Sequence, residues 1–188
     1  TWNRLSVNQA EIKDLTADGW QRPAVTVRYP KDEKPIVREL TTEQESSVYK
    51  KMEQIRTGMG AEVSRLKPED ATDICVETVE EGGESDERRE RMRRDEVVLV
   101  LDYPDRKNCF QDVKIYARAG ESVTVWTVVR SKKDAEGKAV LRTLLQAEEN
   151  AKIRLVQVDL LGDRMQLFND IGVESGKQAQ IEAVSYTH

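Results

Sequence analysis

The feature that most restricts how this sequence can fold is a strand pattern, [Gly/Asn]-x-x-apolar-x-apolar-x-x-Val, that occurs three times in its second half. It runs from Gly120 to Val128 through Val123 and Val125, from Asn150 to Val158 through Ile153 and Leu155, and from Gly176 to Val184 through Ala179 and Ile181. The first two copies start 30 residues apart (Gly120 to Asn150) and the last two 26 (Asn150 to Gly176). Periods of this size mark stacked repeats, in which one unit is too small to bury its own apolar face and takes a neighbour's.

A second strand-like run precedes each copy: Val113 to Tyr116, Val140 to Leu145, and Leu167 to Val173. The turns between paired runs are Ala119-Gly120, Glu148-Glu149-Asn150 and Ser175-Gly176, residues that accept tight or left-handed backbone. Each repeat therefore reads as two short strands and a turn. Alternation such as Lys152-Ile153-Arg154-Leu155 buries one strand face and leaves the other in water. A β-sandwich shares alternation and turns, but the regular recurrence of the turn favours a coil. The expected fold is mainly β: a right-handed parallel β-helix core over residues 95–188, after a small mixed α/β region over 1–94.

In that N-terminal region, Val25, Val27 and Tyr29 alternate like a short strand. Thr42 with Glu45 reads as a capping box, and Val48, Met52, Ile55 and Met59 recur at helical spacing before Gly58 and Gly60 supply a stop. The stretch Pro68 to Val79 is predicted helical, with Pro68 at a first-turn position, although Ile74-Cys75-Val76 also suits a strand. Residues 80–94 carry a Gly pair and mixed charges with almost no apolar content, which predicts a solvated linker. Its basic run from Arg88 to Arg94 could instead dock an acidic partner.

Several phrases resemble the SufB/SufD family. They are Asp134-Ala135-Glu136-Gly137, the run Ala147 to Val158, Leu160-Leu161-Gly162, Phe168-Asn169-Asp170-Ile171-Gly172, and the opening Thr1-Trp2-Asn3-Arg4-Leu5-Ser6-Val7-Asn8. The likeness is greatest to short SufD-like members and densest over residues 95 to 184. It implies a β-helix scaffold subunit of the SUF machinery that builds iron–sulfur clusters, partnered by a SufC-type ATPase and a SufB/SufD-type subunit. It further implies that this chain binds no cofactor itself and that the complex handles the cluster. The family's interface cysteine and histidine and its SufC-holding helices lie in later rungs and the C-terminal domain, so no functional residue transfers, and Cys75, Cys109 and His188 match none of those positions. The start at Thr1 and the finish inside the third copy suggest a piece carrying only the N-terminal rungs, whose open end would pair with another chain.

Composition excludes other classes. A net charge of −5 argues against a nucleic-acid surface. No apolar run is long enough to span a bilayer and no signal-peptide core is present, which makes the cytoplasm the default compartment. Two cysteines are too few for a disulfide framework.

Candidate chemistry is sparse, and the expected catalytic, cofactor and metal sites are none. Cys75 and Cys109 lie far apart with no second ligand nearby, and both read as buried thiols, Cys109 the less inert in a loop leading into a strand. His188, the only histidine, has no orienting partner in sequence. Gly58-Met59-Gly60 lacks the third glycine of a dinucleotide fingerprint, and no GxxxxGK[ST] loop exists. Asp159, Asp163 and Asp170 surround one rung and could be drawn as an acid/base pair, but turn and surface roles are commoner for Asp. Trp126 reads as core, while Trp2 and Trp20 read as pins for the N-terminal segment. A polysaccharide-acting β-helix would want exposed aromatics, and the aromatic fraction is only 5%. A structural fibre or assembly module is the third functional class.

Overall fold

The computed structural model describes residues 15–16, 18–30, 35–79 and 95–187. The opening phrase with Trp2, the linker 80–94 with Arg88 to Arg94, and His188 lie outside the described residues. The rest forms a parallel β-solenoid of about three turns with a small N-terminal α/β region, as the repeat predicts.

Two sheets face each other. Sheet A runs in the order β10 (Arg164–Ser175), β8 (Glu136–Ala147), β6 (Lys107–Ala117), β4 (Thr72–Glu77) and β3 (Ile36–Thr41), with β1 (Trp20–Gln21) beside β6. Sheet B runs in the order β11 (Gln180–Thr187), β9 (Lys152–Leu160), β7 (Ser122–Arg130), β5 (Asp95–Asp102) and β2 (Ala24–Arg28). Consecutive strands from β5 to β11 alternate between the sheets, and every pairing among β4 to β11 is parallel. The flanking strands β2 and β3 pair antiparallel.

The pleat sends alternate residues inward to one core. Cys109, Val113, Ile115 and Ala117 of β6 stack beside Ala139, Leu141 and Leu145 of β8, facing Val123, Val125 and Val129 of β7 and Ile153 and Leu155 of β9. Stacking of like residues in adjacent turns lets short strands share a continuous apolar column.

Register corrects the third repeat. Lys152 pairs with Gln180 and Ile153 with Ile181, so the offset from β9 to β11 is 28 residues, where the sequence pattern implied 26. The turn positions with left-handed backbone are Gly120 (φ 76), Asn150 (φ 60) and Gln178 (φ 58), which places the third turn at Gln178 and not at Gly176. A slip of two residues keeps every side chain on its proper face, so alternation alone does not expose the error. Gly176 tolerates close packing instead: a Cβ there would lie 2.8 Å from Glu149 N.

Two other expectations change. Pro68 to Val79 is not a helix but a turn followed by β4, which is buried between β3 and β6, and two-sided sheet pairing outweighs the weak helical signal. Helix α1 covers only Ser47–Met52 and a separate short helix α2 covers Ala61–Ser64. Thr42 and Glu45 form no capping box, because Ser46 is the N-cap residue and Glu45 turns toward the sheet.

A side chain in left-handed backbone costs about 1–2 kcal/mol, least for Asn and most readily relieved by Gly. Asn150→Ala is therefore expected to destabilise the chain by about 1 kcal/mol, and Gln178→Gly to leave stability unchanged or raise it by up to about 1 kcal/mol. Denaturant unfolding of both variants checks this.

Candidate functional site

The outward face of sheet A is covered. Tyr49 and Met52 of α1 pack on Cys75, Tyr116 and Leu144, while Val63 and Leu66 join Leu15 and Trp20 over Phe110, Val140 and Phe168. Trp20 donates Nε1–H to Thr16 O at 2.7 Å and so acts as the pin its sequence position suggested. The segment from Glu45 to Leu66 thus forms an arm clasped to the solenoid.

The phrase Phe168-Asn169-Asp170-Ile171-Gly172 is the landing strip for this arm on β10. Its alternate residues point outward: Phe168 enters the apolar cluster, Asp170 Oδ1 accepts the Met59 N–H at 3.1 Å, and Gly172 lies under residues 55–57. A Cβ on Gly172 would meet Ile55 Cγ2 at 2.9 Å and Thr57 Cγ2 at 2.8 Å, so only glycine lets the arm approach this closely.

Between the two apolar clusters lies a buried ionic network. Lys114 Nζ on β6 contacts Glu45 at 2.6 Å, Glu53 at 2.7 Å and Asp73 at 2.9 Å. Arg142 on β8 holds Asp112 through Nε at 2.7 Å and Nη2 at 2.6 Å, and also reaches Glu53 at 2.8 Å and Ser64 Oγ at 3.0 Å. Lys67 joins Asp73 at 2.7 Å and Asp112 at 3.0 Å. The ladder explains the grouping: Asp112 and Arg142 are register partners, and Cys75 pairs with Lys114.

Burial and charge set the protonation here. Burial disfavours the charged form of Lys114, but Asp73, Glu45 and Glu53 outweigh it and raise its pKa, so the ammonium persists. Burial opposes ionisation of Glu53 as well, yet the Arg142 and Lys114 charges pull its carboxyl down to about 2. Burial pushes the Cys75 thiol up to about 12 and the Cys109 thiol up to about 11, leaving both protonated and poor nucleophiles. Glu45, Glu53 and Asp73 place ligand oxygens within 4.8 Å of one another, but the Lys114 ammonium already occupies the position a metal ion would take.

The residues singled out in sequence do not converge. Cys75 faces outward under α1, whereas Cys109 faces the solenoid interior, inside strand β6 and not in a loop before it. Asp159 points inward to Gln157 at 2.8 Å, Asp163 is exposed in the turn before β10, and Asp170 faces the arm, so no acid/base pair forms. Gly58-Met59-Gly60 does not stop α1; Gly60, at φ 54, is the N-cap residue of α2 and Met59 anchors to Asp170. Trp126 is not core: the pleat puts it on the outer face of sheet B between Val98 and Val156, where its Nε1–H donates to Glu96 at 2.7 Å. Lys114 and Arg142, the centres of the ionic network, drew no notice in sequence. Their only signal was a charge placed within a long apolar strand run.

A shallow groove of about 380 Å³ lies beside α1, lined in part by Ile36, Arg38, Leu40, Tyr49, Glu77 and Arg118. Within it Arg118 contacts Glu77 at 2.5 Å, and the Tyr49 hydroxyl donates to the same carboxylate at 3.1 Å. No helix among the described residues is long and apolar enough to cross a membrane. Comparison with protein-family models, curated proteins and solved structures found no match.

Removing one partner of a buried charge pair costs about 3–5 kcal/mol, because the other is left uncompensated. Arg142→Met is expected to fall in that range by denaturant unfolding, since among the described residues Asp112 is then left with the Lys67 cation alone. Glu53, whose folded pKa lies below the ordinary value of about 4.3, contributes stability that is present above that value and is lost as pH falls toward about 2. Melting curves across this acid range are expected to fall less steeply for Glu53→Gln than for wild type.

Proposed function

We propose that this chain is a non-catalytic scaffold subunit of a SUF-type iron–sulfur cluster assembly complex, pairing with a SufB/SufD-type partner through its β-solenoid and working with a SufC-type ATPase. The observation that carries the reading is the position of the family-like phrases. The run Ala147 to Val158 forms a turn and β9, and Phe168 to Gly172 forms the outward ladder of β10 on which the arm lands. Asp134 to Gly137 runs from the connection after β7 into the start of β8, and Leu160 to Gly162 spans the end of β9 and the connection after it. Gly162 lies against the carbonyls of Lys132 and Lys133 one turn earlier, where a Cβ does not fit. These phrases thus serve coil closure and arm docking, which is the chemistry of a scaffold.

The protonation pattern supports the same reading. Among the described residues both thiols are buried and held protonated, and the cations of the ionic network are spent on internal carboxylates. In this proposal the cluster is cargo of the complex, the chain carries no resident cofactor, and the compartment is the cytoplasm.

Co-expression of the full reading frame with a SufC-type ATPase and a SufB-type partner under anaerobic conditions tests this. The expected result is a stoichiometric complex by mass that gains iron and sulfide. A chain that ignores both partners overturns the proposal and returns the solenoid to the polysaccharide-enzyme and fibre readings.

A further inference from the structure

Among the described residues, the ionic network under the arm contains four carboxylates, Glu45, Glu53, Asp73 and Asp112, against three cations, Lys67, Lys114 and Arg142. Fully ionised, it would hold one negative charge that nothing in the network balances.

The surplus can be located. Glu53 engages both oxygens, Oε1 with Lys114 and Oε2 with Arg142. Burial raises the Asp112 carboxyl as well, but both of its oxygens accept hydrogen bonds from Arg142. Glu45 uses only Oε1, for Lys114, and Asp73 uses only Oδ2, for Lys67 and Lys114. Glu45 Oε2 and Asp73 Oδ1 are buried without a hydrogen-bond partner, in residues 5% and 0% exposed. The two carboxyl groups lie side by side around the Lys114 ammonium, with ligand oxygens inside 4.8 Å. An unpartnered buried carboxylate oxygen costs the desolvation of a charged acceptor, and a second carboxylate in the same low-dielectric site makes ionisation of Glu45 costlier still. A second cation does not resolve this, because Lys114 already fills the centre of the group.

We propose that Glu45 carries a dissociable proton at neutral pH, directed at the unpartnered oxygen of Asp73, and that this proton helps fasten the arm to the solenoid. Glu45 belongs to the arm and Asp73 to β4, so the proton sits across their interface. It converts one acceptor into a donor and brings the network to neutrality. Burial is the main cause raising the Glu45 pKa, and the Asp73 carboxyl adds to it against the opposing pull of Lys114. Of the neighbouring charged groups, Glu77 of β4 is engaged with Arg118 and Tyr49, and Asp170 of β10 accepts the Met59 N–H through Oδ1 while its Oδ2 is buried without a partner. Cys75, also on β4, is a protonated thiol.

A carboxyl whose folded pKa is raised gives stability that is complete below its unfolded pKa and is lost as pH rises through the folded value. That is opposite in sign to Glu53, whose effect is confined to more acid conditions. Carboxyl-labelled ¹³C NMR of the full chain near neutral pH reads the proton directly. The expected spectrum has one glutamate carboxyl in its acid form, absent from Glu45→Gln. Glu45→Gln replaces that proton with an amide N–H and is expected to fold while losing the decline in melting temperature that wild type shows as pH rises above the ordinary glutamate range. Should that variant fail to fold, Asp73→Asn supplies the same donor from the other side, and the wild-type spectrum decides unaided. Fully ionised glutamates at neutral pH, or a wild-type decline that persists in Glu45→Gln, would overturn the proposal.

Discussion

The Lys114 ammonium, wholly buried on the outward face of sheet A, is the charge around which this molecule is arranged. A lone buried ammonium would lose its hydration with nothing in return, so the fold must bring carboxylates to it. Glu45 and Glu53 come from the arm and Asp73 from the neighbouring strand. The helices of the arm are six and four residues long, too short to be stable by propensity. Their position follows from the ionic contacts and from the apolar clusters on either side. Such a network adds less to net stability than its short distances suggest, because desolvation offsets much of the attraction. What it supplies is register, since a displaced arm would strand Lys114 and Arg142 without partners.

The two sheets consequently treat their outer faces differently. On sheet B, polar residues such as Arg154 and Glu182 pair across the ladder at 3.2 Å in the open, and alternation marks the strands clearly. On sheet A, β6 and β8 are buried on both sides over most of their length. Parallel strands covered on both faces usually read as apolar runs. Here Asp112, Lys114 and Arg142 interrupt the run and are matched by charges from the arm.

The coil was legible because stacking imposes a period that no local preference creates. Turn residues near 120, 150 and 176, with inward pairs such as Val123 and Val125, sufficed to define the solenoid. Register in the last turn was not legible, because Gly176 mimics a turn glycine while Gln178 adopts the left-handed backbone. The helix ending at Gly58 was misread for a related reason. Val48, Met52, Ile55 and Met59 keep helical spacing, but the chain leaves the helix after Met52 so that Glu53 can reach Lys114 and Arg142. Trp126 looked like core because Val125 and Val128 flank it, yet only Val125 shares the inward face of β7.

The sequence by itself determined the class of fold and the alternation of strands, both of which depend on residue types and spacing along the chain. Only the tertiary structure decided where Asp112, Lys114 and Arg142 would meet Glu45, Glu53, Lys67 and Asp73. Those partners are separated by tens of residues and belong to strands, turns and helix ends with no common period. Charge pairing in a buried seam depends on distance and dielectric, and both come into being only when the arm closes over the sheet.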